Sequence, residues 1–143
     1  MTFPIRKASA QTALKPAKSA GSGNQAQKRL QALGRLPVGQ LNKTEEAYRQ
    51  HLEARKFAGE IVWYRFEGIK LRLADKTFYT PDFAVMLADG SMELHEVKGA
   101  PGIFTDDAKV KVKVCAQDYP FPVIVAFPIA KKRGGGWEFV RYG

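Results

Sequence analysis

Cysteine and histidine are scarce in this chain. It has one cysteine, Cys115, and two histidines, His51 and His95. A single thiol excludes an internal disulfide, and a reducing, cytoplasmic setting is expected. It also excludes a cysteine-cluster zinc centre, and two imidazoles are too few for a histidine-rich one. Any resident metal is therefore expected to be hard and oxygen-ligated, Mg²⁺ or Mn²⁺. Long hydrophobic runs are absent too. Nothing approaches the roughly 18 apolar residues of a membrane span, and no membrane partner is expected. The basic start of the chain lacks the apolar centre of a secretory signal.

Acid is missing from the first 43 residues. That stretch holds Arg6, Lys7, Lys15, Lys18, Lys28, Arg29, Arg35 and Lys43 and no Asp or Glu, whereas the rest of the chain is close to neutral. The net charge of +9 is thus a property of one end. Residues 1–40 read as a basic, flexible arm suited to a phosphate backbone, with a short helix over Asn24–Leu33. A folded domain is expected over residues 41–143.

Inside that domain the pattern is mixed. Asn42 followed by Glu45 is a capping box, and a helix is expected from Lys43 to Phe57. Leu41, Glu45, Tyr48, Leu52 and Arg55 share one stripe of it, so Glu45 points toward the core side and Glu46 away. Strands are expected at Ile61–Phe66, Ile69–Leu73, Phe78–Leu87, Met92–Lys98, Val123–Phe127 and Trp137–Tyr142. A second helix is expected over Asp106–Asp118, capped by Thr105. Asp89-Gly90 is a two-residue hairpin turn. Helix, antiparallel meander, helix and further strands make an α/β fold with a mixed central β-sheet flanked by helices. Tyr79, Phe83, Trp63, Trp137, Tyr142 and Cys115 are read as core.

The hairpin from Tyr79 to Gly99 carries acid where a half-buried strand would normally be apolar. Met92, Leu94, Glu96 and Lys98 fall on one face, with Glu93, His95 and Val97 on the other. Counting out from Asp89-Gly90 puts Asp82 opposite Glu96 or Val97. Two carboxylates that meet this way need a cation. Mg²⁺ is satisfied by one or two carboxylates, a backbone carbonyl (that of Val97) and water. Such an ion activates water and stabilises a departing phosphodiester oxygen, with Lys98 beside that water. Glu45 would complete the set. The plainer alternative leaves Glu45 a cap, Glu96 and Lys98 an exposed strand face, and Asp82 a turn residue. His95, on the opposite face, is expected to be structural.

The ordered elements LNKTEEAYRQHL, YTPDF and EVKG resemble the PD-(D/E)XK nuclease superfamily, in particular its small phage- and prophage-associated members. The resemblance covers about residues 41–127. It implies that Pro81-Asp82 is the PD, Glu96 the acid, Lys98 the lysine and Glu45 the acid of the first helix. It implies a restriction-endonuclease-like core and Mg²⁺- or Mn²⁺-dependent cleavage of DNA in a bacterial or phage-infected cytoplasm. Catalytic roles then fall to Glu45, Asp82, Glu96 and Lys98, and metal ligation to Asp82, Glu96, Val97 and Glu45. Lys111, Lys43 and Arg35 are picked out as nucleic-acid contacts. Cutting both strands of a duplex needs two sites, so a homodimer is expected. The AKVKVKVCAQDYP segment departs from the RecB-like branch, because Gln117 and Tyr119 are only two residues apart. Two rivals remain: a non-catalytic DNA-binding or assembly subunit on the same fold, and a transposase or repair nuclease subunit active only in a complex.

Overall fold

The structure, a computed structural model, describes residues 39–143. The basic arm up to residue 38, with Arg35 and the expected helix over Asn24–Leu33, lies outside the described residues.

The first helix, α1 (Lys43–Phe57), begins where the capping box puts it. Oδ1 of Asn42 accepts the Glu45 N–H at 2.9 Å, and Oε2 of Glu45 accepts the Asn42 N–H at 2.8 Å. These bonds satisfy two donors that a helix start leaves open. The helix buries Tyr48 and Leu52 and turns Glu46 and Arg49 outward as a 2.7 Å ion pair. It ends on Arg55 and Lys56, whose charges suit a helix C-terminus, and the chain leaves through Gly59 at φ +80°.

Seven strands follow: β1 (Ile61–Phe66), β2 (Leu71–Ala74), β3 (Thr77–Tyr79), β4 (Phe83–Leu87), β5 (Met92–Val97), β6 (Val123–Pro128) and β7 (Trp137–Tyr142). The second helix, α2 (Asp106–Asp118), lies between β5 and β6. Five strands make one mixed sheet in the order β1-β4-β5-β6-β7, with only β5 and β6 parallel. The parallel pair needs a long crossover, and α2 supplies it. Side chains then sort by the period of two. Phe83, Val85 and Val97 join Tyr48 and Leu52 under α1. Ala84, Leu94, Val123 and Val125 join Val112 and Cys115 under α2. Each fully buried Leu, Val or Phe contributes roughly 1.5–3 kcal/mol, so both faces of the sheet are load shared between two cores.

Four expectations are corrected. The two-residue turn expected at Asp89-Gly90 is a three-residue loop, with Ala88, Asp89 and Gly90 between Leu87, whose N–H donates at 2.8 Å, and the Ser91 carbonyl that accepts. The strand expected over Phe78–Leu87 is two strands in different sheets, β3 and β4. Pro81 has no N–H to give a ladder, so pairing stops there and restarts one residue past Asp82. The strand expected over Ile69–Leu73 runs over Leu71–Ala74 and pairs only with β3. This β2–β3 ribbon rests on α2, where the Tyr119 hydroxyl donates to the Arg72 carbonyl at 2.5 Å. Trp63, expected in the core, is 38% exposed. A register shift between Ile61 and Trp63 on edge strand β1 re-aims the side chains that follow.

No helix among the described residues is long and apolar enough to cross a membrane.

Candidate active site

The register of the β4–β5 hairpin sets the site. Phe83 stands opposite His95, so one step outward brings Asp82 level with Glu96. Asp82 is held from both sides. Its carbonyl accepts the Glu67 N–H at 2.8 Å, and Oδ2 of its carboxylate accepts the Val97 N–H at 2.8 Å. In a strand the N–H and C=O of one residue leave on the same side. The Val97 carbonyl therefore faces the Asp82 side as its N–H does. The next residue turns the other way, and the Lys98 N–H donates to the Ala126 carbonyl of β6 at 2.9 Å.

Glu96 is buried, yet both of its oxygens are engaged. Oε2 accepts the Tyr79 hydroxyl at 2.8 Å, and Oε1 pairs with Lys98 Nζ at 3.0 Å. The start of α1 adjoins this end of β5. A side chain added at Gly99 would touch Thr44 Oγ1 at 3.9 Å. Glu45, one residue further along α1, is half-buried.

The electrostatics tie these groups together. Burial pushes the Asp82 carboxyl well above the ordinary carboxylate range. The Glu96 charge adds to that, the Val97 N–H opposes it, Glu45 raises it further and Lys98 lowers it. Burial also raises Glu45. The Asn42 N–H opposes this, Glu67 and Glu96 add to it, and Lys98 again lowers it. Glu45, Asp82, Glu96 and Lys98 thus lie within each other's fields, with three carboxylates against one ammonium. Burial, and after it Glu96, raises the Tyr79 phenol, which keeps its proton and stays a donor.

The three acids are not equally free. Asp82 leaves Oδ1 without a hydrogen bond among the described residues, whereas Glu45 has given Oε2 to its own helix cap. Among the described residues, no three His, Cys, Asp or Glu side chains are grouped so as to hold a metal ion. The donor set at hand is the free oxygen of Asp82, the Glu96 carboxylate and the Val97 carbonyl. All are hard oxygens, and two carboxylates with a carbonyl and water meet the needs of Mg²⁺. The residues therefore fit such an ion, with Glu45 at one remove. Lys43 and Lys111 are exposed, on the first turn of α1 and on α2.

Two features escaped the sequence. Tyr79 reads there only as core, and it does bury its ring, at 7% exposure. Its hydroxyl nevertheless needed a partner, and nothing in the spacing names Glu96. The second is a buried chain on the α1 face. The Tyr48 hydroxyl meets His95 Nδ1 at 2.5 Å, and His95 Nε2 meets Glu93 Oε2 at 2.8 Å. A carboxylate can only accept, so Nε2 carries the proton and Nδ1 accepts from Tyr48. Burial lowers the His95 pKa and keeps the ring neutral. A cavity of about 610 Å³ opens beside this chain, lined by Arg55, Glu60, Glu93 and Phe139 among others, and none of Glu45, Asp82, Glu96 and Lys98 lines it.

No protein-family model, curated protein or solved structure matches this chain.

Proposed function

We propose that this protein is a nuclease of restriction-endonuclease-like fold, hydrolysing phosphodiester bonds of DNA with Mg²⁺ or Mn²⁺. The observation that carries the reading is the uncompensated acid at the end of β5. Asp82 stands level with Glu96 across the hairpin and within its field, Glu45 adds to that field, and one ammonium answers them. Such a cluster is costly unless a cation joins it.

In this reading Asp82, Glu96 and the Val97 carbonyl hold the ion. A bound ion would offset charge on the scissile phosphate and would lower the pKa of the attacking water. Lys98, fixed by Glu96 at 3.0 Å, donates toward that water or the developing phosphorane. Glu45, with its pKa raised by burial, is suited to accept the water's proton nearer neutrality than an exposed carboxylate would. Tyr79 holds Glu96 in place from behind. A homodimer would bring two such sites to the two strands of a duplex.

The test is incubation of the purified protein with supercoiled, linear and branched DNA, in Mg²⁺ and in EDTA. Cutting in Mg²⁺ alone supports the reading, and no cutting of any substrate contradicts it.

One observation favours a second reading, a non-catalytic nucleic-acid-binding subunit. The Glu45 carboxylate already serves as a cap, and among the described residues no three carboxylates are grouped so as to hold a metal ion. Tight binding of DNA without cleavage, in either condition, is its signature.

A further inference from the structure

The parallel pairing of β5 and β6 places one more element beside the site. Val97 stands opposite Ala126, and both strands run out at the same end of the sheet. Beyond β5 lies Lys98. Beyond β6 lies the loop that joins it to β7, which starts with Trp137 opposite Pro128. In open sheets this carboxyl end is where ligands collect. At about 4.8 Å between strands and 3.3 Å per residue, the backbone of residues 129–131 stands roughly 8 to 14 Å from that of Lys98.

The loop's shape is held by its backbone alone. The Ile129 N–H donates to the Gly136 carbonyl at 2.9 Å, closing its base. Within it the Arg133 and Gly135 N–H groups donate to the Ala130 carbonyl at 2.8 and 3.1 Å. A short 3-10 turn, Lys131–Arg133, leads into Gly134, Gly135 and Gly136 at φ +108°, +68° and +80°. A side chain at any of these glycines would have nothing within 4 Å. The glycines therefore serve the backbone's path, not close packing. Lys131, Lys132 and Arg133 are all exposed, and none of their side chains makes an ion pair or hydrogen bond among the described residues. The fold does not use them.

We infer that the Lys131–Arg133 turn is a phosphate-contacting loop that grips the nucleic-acid backbone beside the phosphodiester held at Asp82 and Glu96. The inference rests on the nuclease reading for what occupies the site. A strand advances about 3.4 Å along the duplex axis per phosphate. The loop thus reaches phosphates roughly two to four nucleotides from the bond that is cut. Three adjacent cations with glycines around them suit a repeating anion. A membrane surface would call for apolar side chains to insert at the tip, and this tip has Lys, Lys, Arg and Gly. The substrate class is accordingly a polynucleotide extending well past the scissile bond, not a mononucleotide ester.

The experiment compares the full-length protein with Lys131→Gln/Lys132→Gln/Arg133→Gln. Anisotropy of a labelled 20-base-pair duplex is read in EDTA, across salt, so that binding is scored without cleavage. Each phosphate contact contributes about 0.9 to the slope of log affinity against log salt. The variant should lose about 2 to 3 from that slope and bind at least roughly tenfold more weakly near 0.1 M salt. A control, Lys56→Gln/Lys76→Gln/Lys113→Gln, removes equal charge from other elements and should change the slope less. An unchanged slope in the loop variant, or an equal loss in the control, overturns the inference. So does binding to phosphatidylglycerol vesicles, lost with the loop charges, in place of binding to the duplex. Hydrolysis of bis(p-nitrophenyl) phosphate with Mg²⁺ is measured alongside and should be unchanged in the loop variant. If neither protein hydrolyses ester or DNA while the slope still falls, the nuclease reading fails and the loop's phosphate contact stands.

Discussion

The Val97 N–H donates to Oδ2 of Asp82 at 2.8 Å, beyond the last residue pair of the β4–β5 ladder. Pro81 ends the ladder, and a side chain takes over the donor that the strand would have paired. The bond fixes where the Asp82 carboxylate lies, and that place is beside Glu96. One local break thus both terminates a strand and positions an acid.

Asp82 gives the metal-free protein a pH dependence of known sign. Its folded pKa is raised by burial and by Glu96, while the unfolded carboxyl titrates near about 3.9. Below that value both states are protonated and the fold bears no charge penalty. As pH rises, the unfolded chain releases its proton first, so stability falls until the folded pKa is passed. Asp82→Asn removes this slope and keeps an oxygen for the Val97 N–H. In EDTA, urea melts should show the variant gaining on the wild type between about pH 4 and pH 8. Mg²⁺ should reverse the order, adding about 2.7 kcal/mol to the wild type alone at a hundredfold excess over Kd. A difference independent of pH and of Mg²⁺ would argue against the buried-acid account.

Lys98→Ala separates chemistry from metal binding. The ion's proposed ligands are all oxygens, so Mg²⁺ should still raise the melting temperature. Turnover should fall roughly 10²–10³-fold, the scale for losing one donor aimed at developing charge. Loss of the Mg²⁺ response together with activity would place Lys98 in a purely structural role.

Tyr79→Phe removes the hydroxyl that holds Glu96 Oε2. A hydrogen bond to a charged group contributes about 1.5–3 kcal/mol, and denaturant melts should show a loss in that range. Outer partners of metal ligands typically change affinity by roughly 10–100-fold. Calorimetric titration with Mg²⁺ should therefore show weaker binding, and an unchanged Kd would remove Tyr79 from the site.

His95 supplies the opposite pH slope. Its folded pKa is lowered by burial, whereas the unfolded imidazole titrates near about 6.5. The stabilising term is complete above that value and is lost as pH falls toward the folded pKa, because only the unfolded chain takes up the proton. The wild type should lose more stability between about pH 7.5 and pH 5 than His95→Gln does. Parallel loss in both proteins would contradict a neutral buried ring.

Local chemistry made much of this legible in the sequence. The Asn42–Glu45 box, the Thr105 cap and the Asp89-Gly90 turn are signals that neighbours alone decide, and the bounds of both helices follow from them. The hairpin count left Asp82 opposite Glu96 or Val97; a two-residue turn would have paired it with Val97, and the extra loop residue that closes Leu87 on Ser91 brings it level with Glu96 instead. What failed was non-local. The separate β2–β3 ribbon depends on α2 for its seat, and Trp63 was re-aimed by an irregularity that no composition announces. The Tyr79–Glu96 bond joins two sheets, and the commitment of Glu45 to its own cap competes with the site in a way that a helical stripe does not reveal.

The most direct measurement is the single-turnover rate of duplex cleavage as Mg²⁺ is titrated, for wild type and Asp82→Ala. The account predicts a rate that rises to saturation in the wild type, vanishes in EDTA, and is absent at every Mg²⁺ concentration in the variant. Cleavage that ignores Mg²⁺, or that persists in Asp82→Ala, would contradict it.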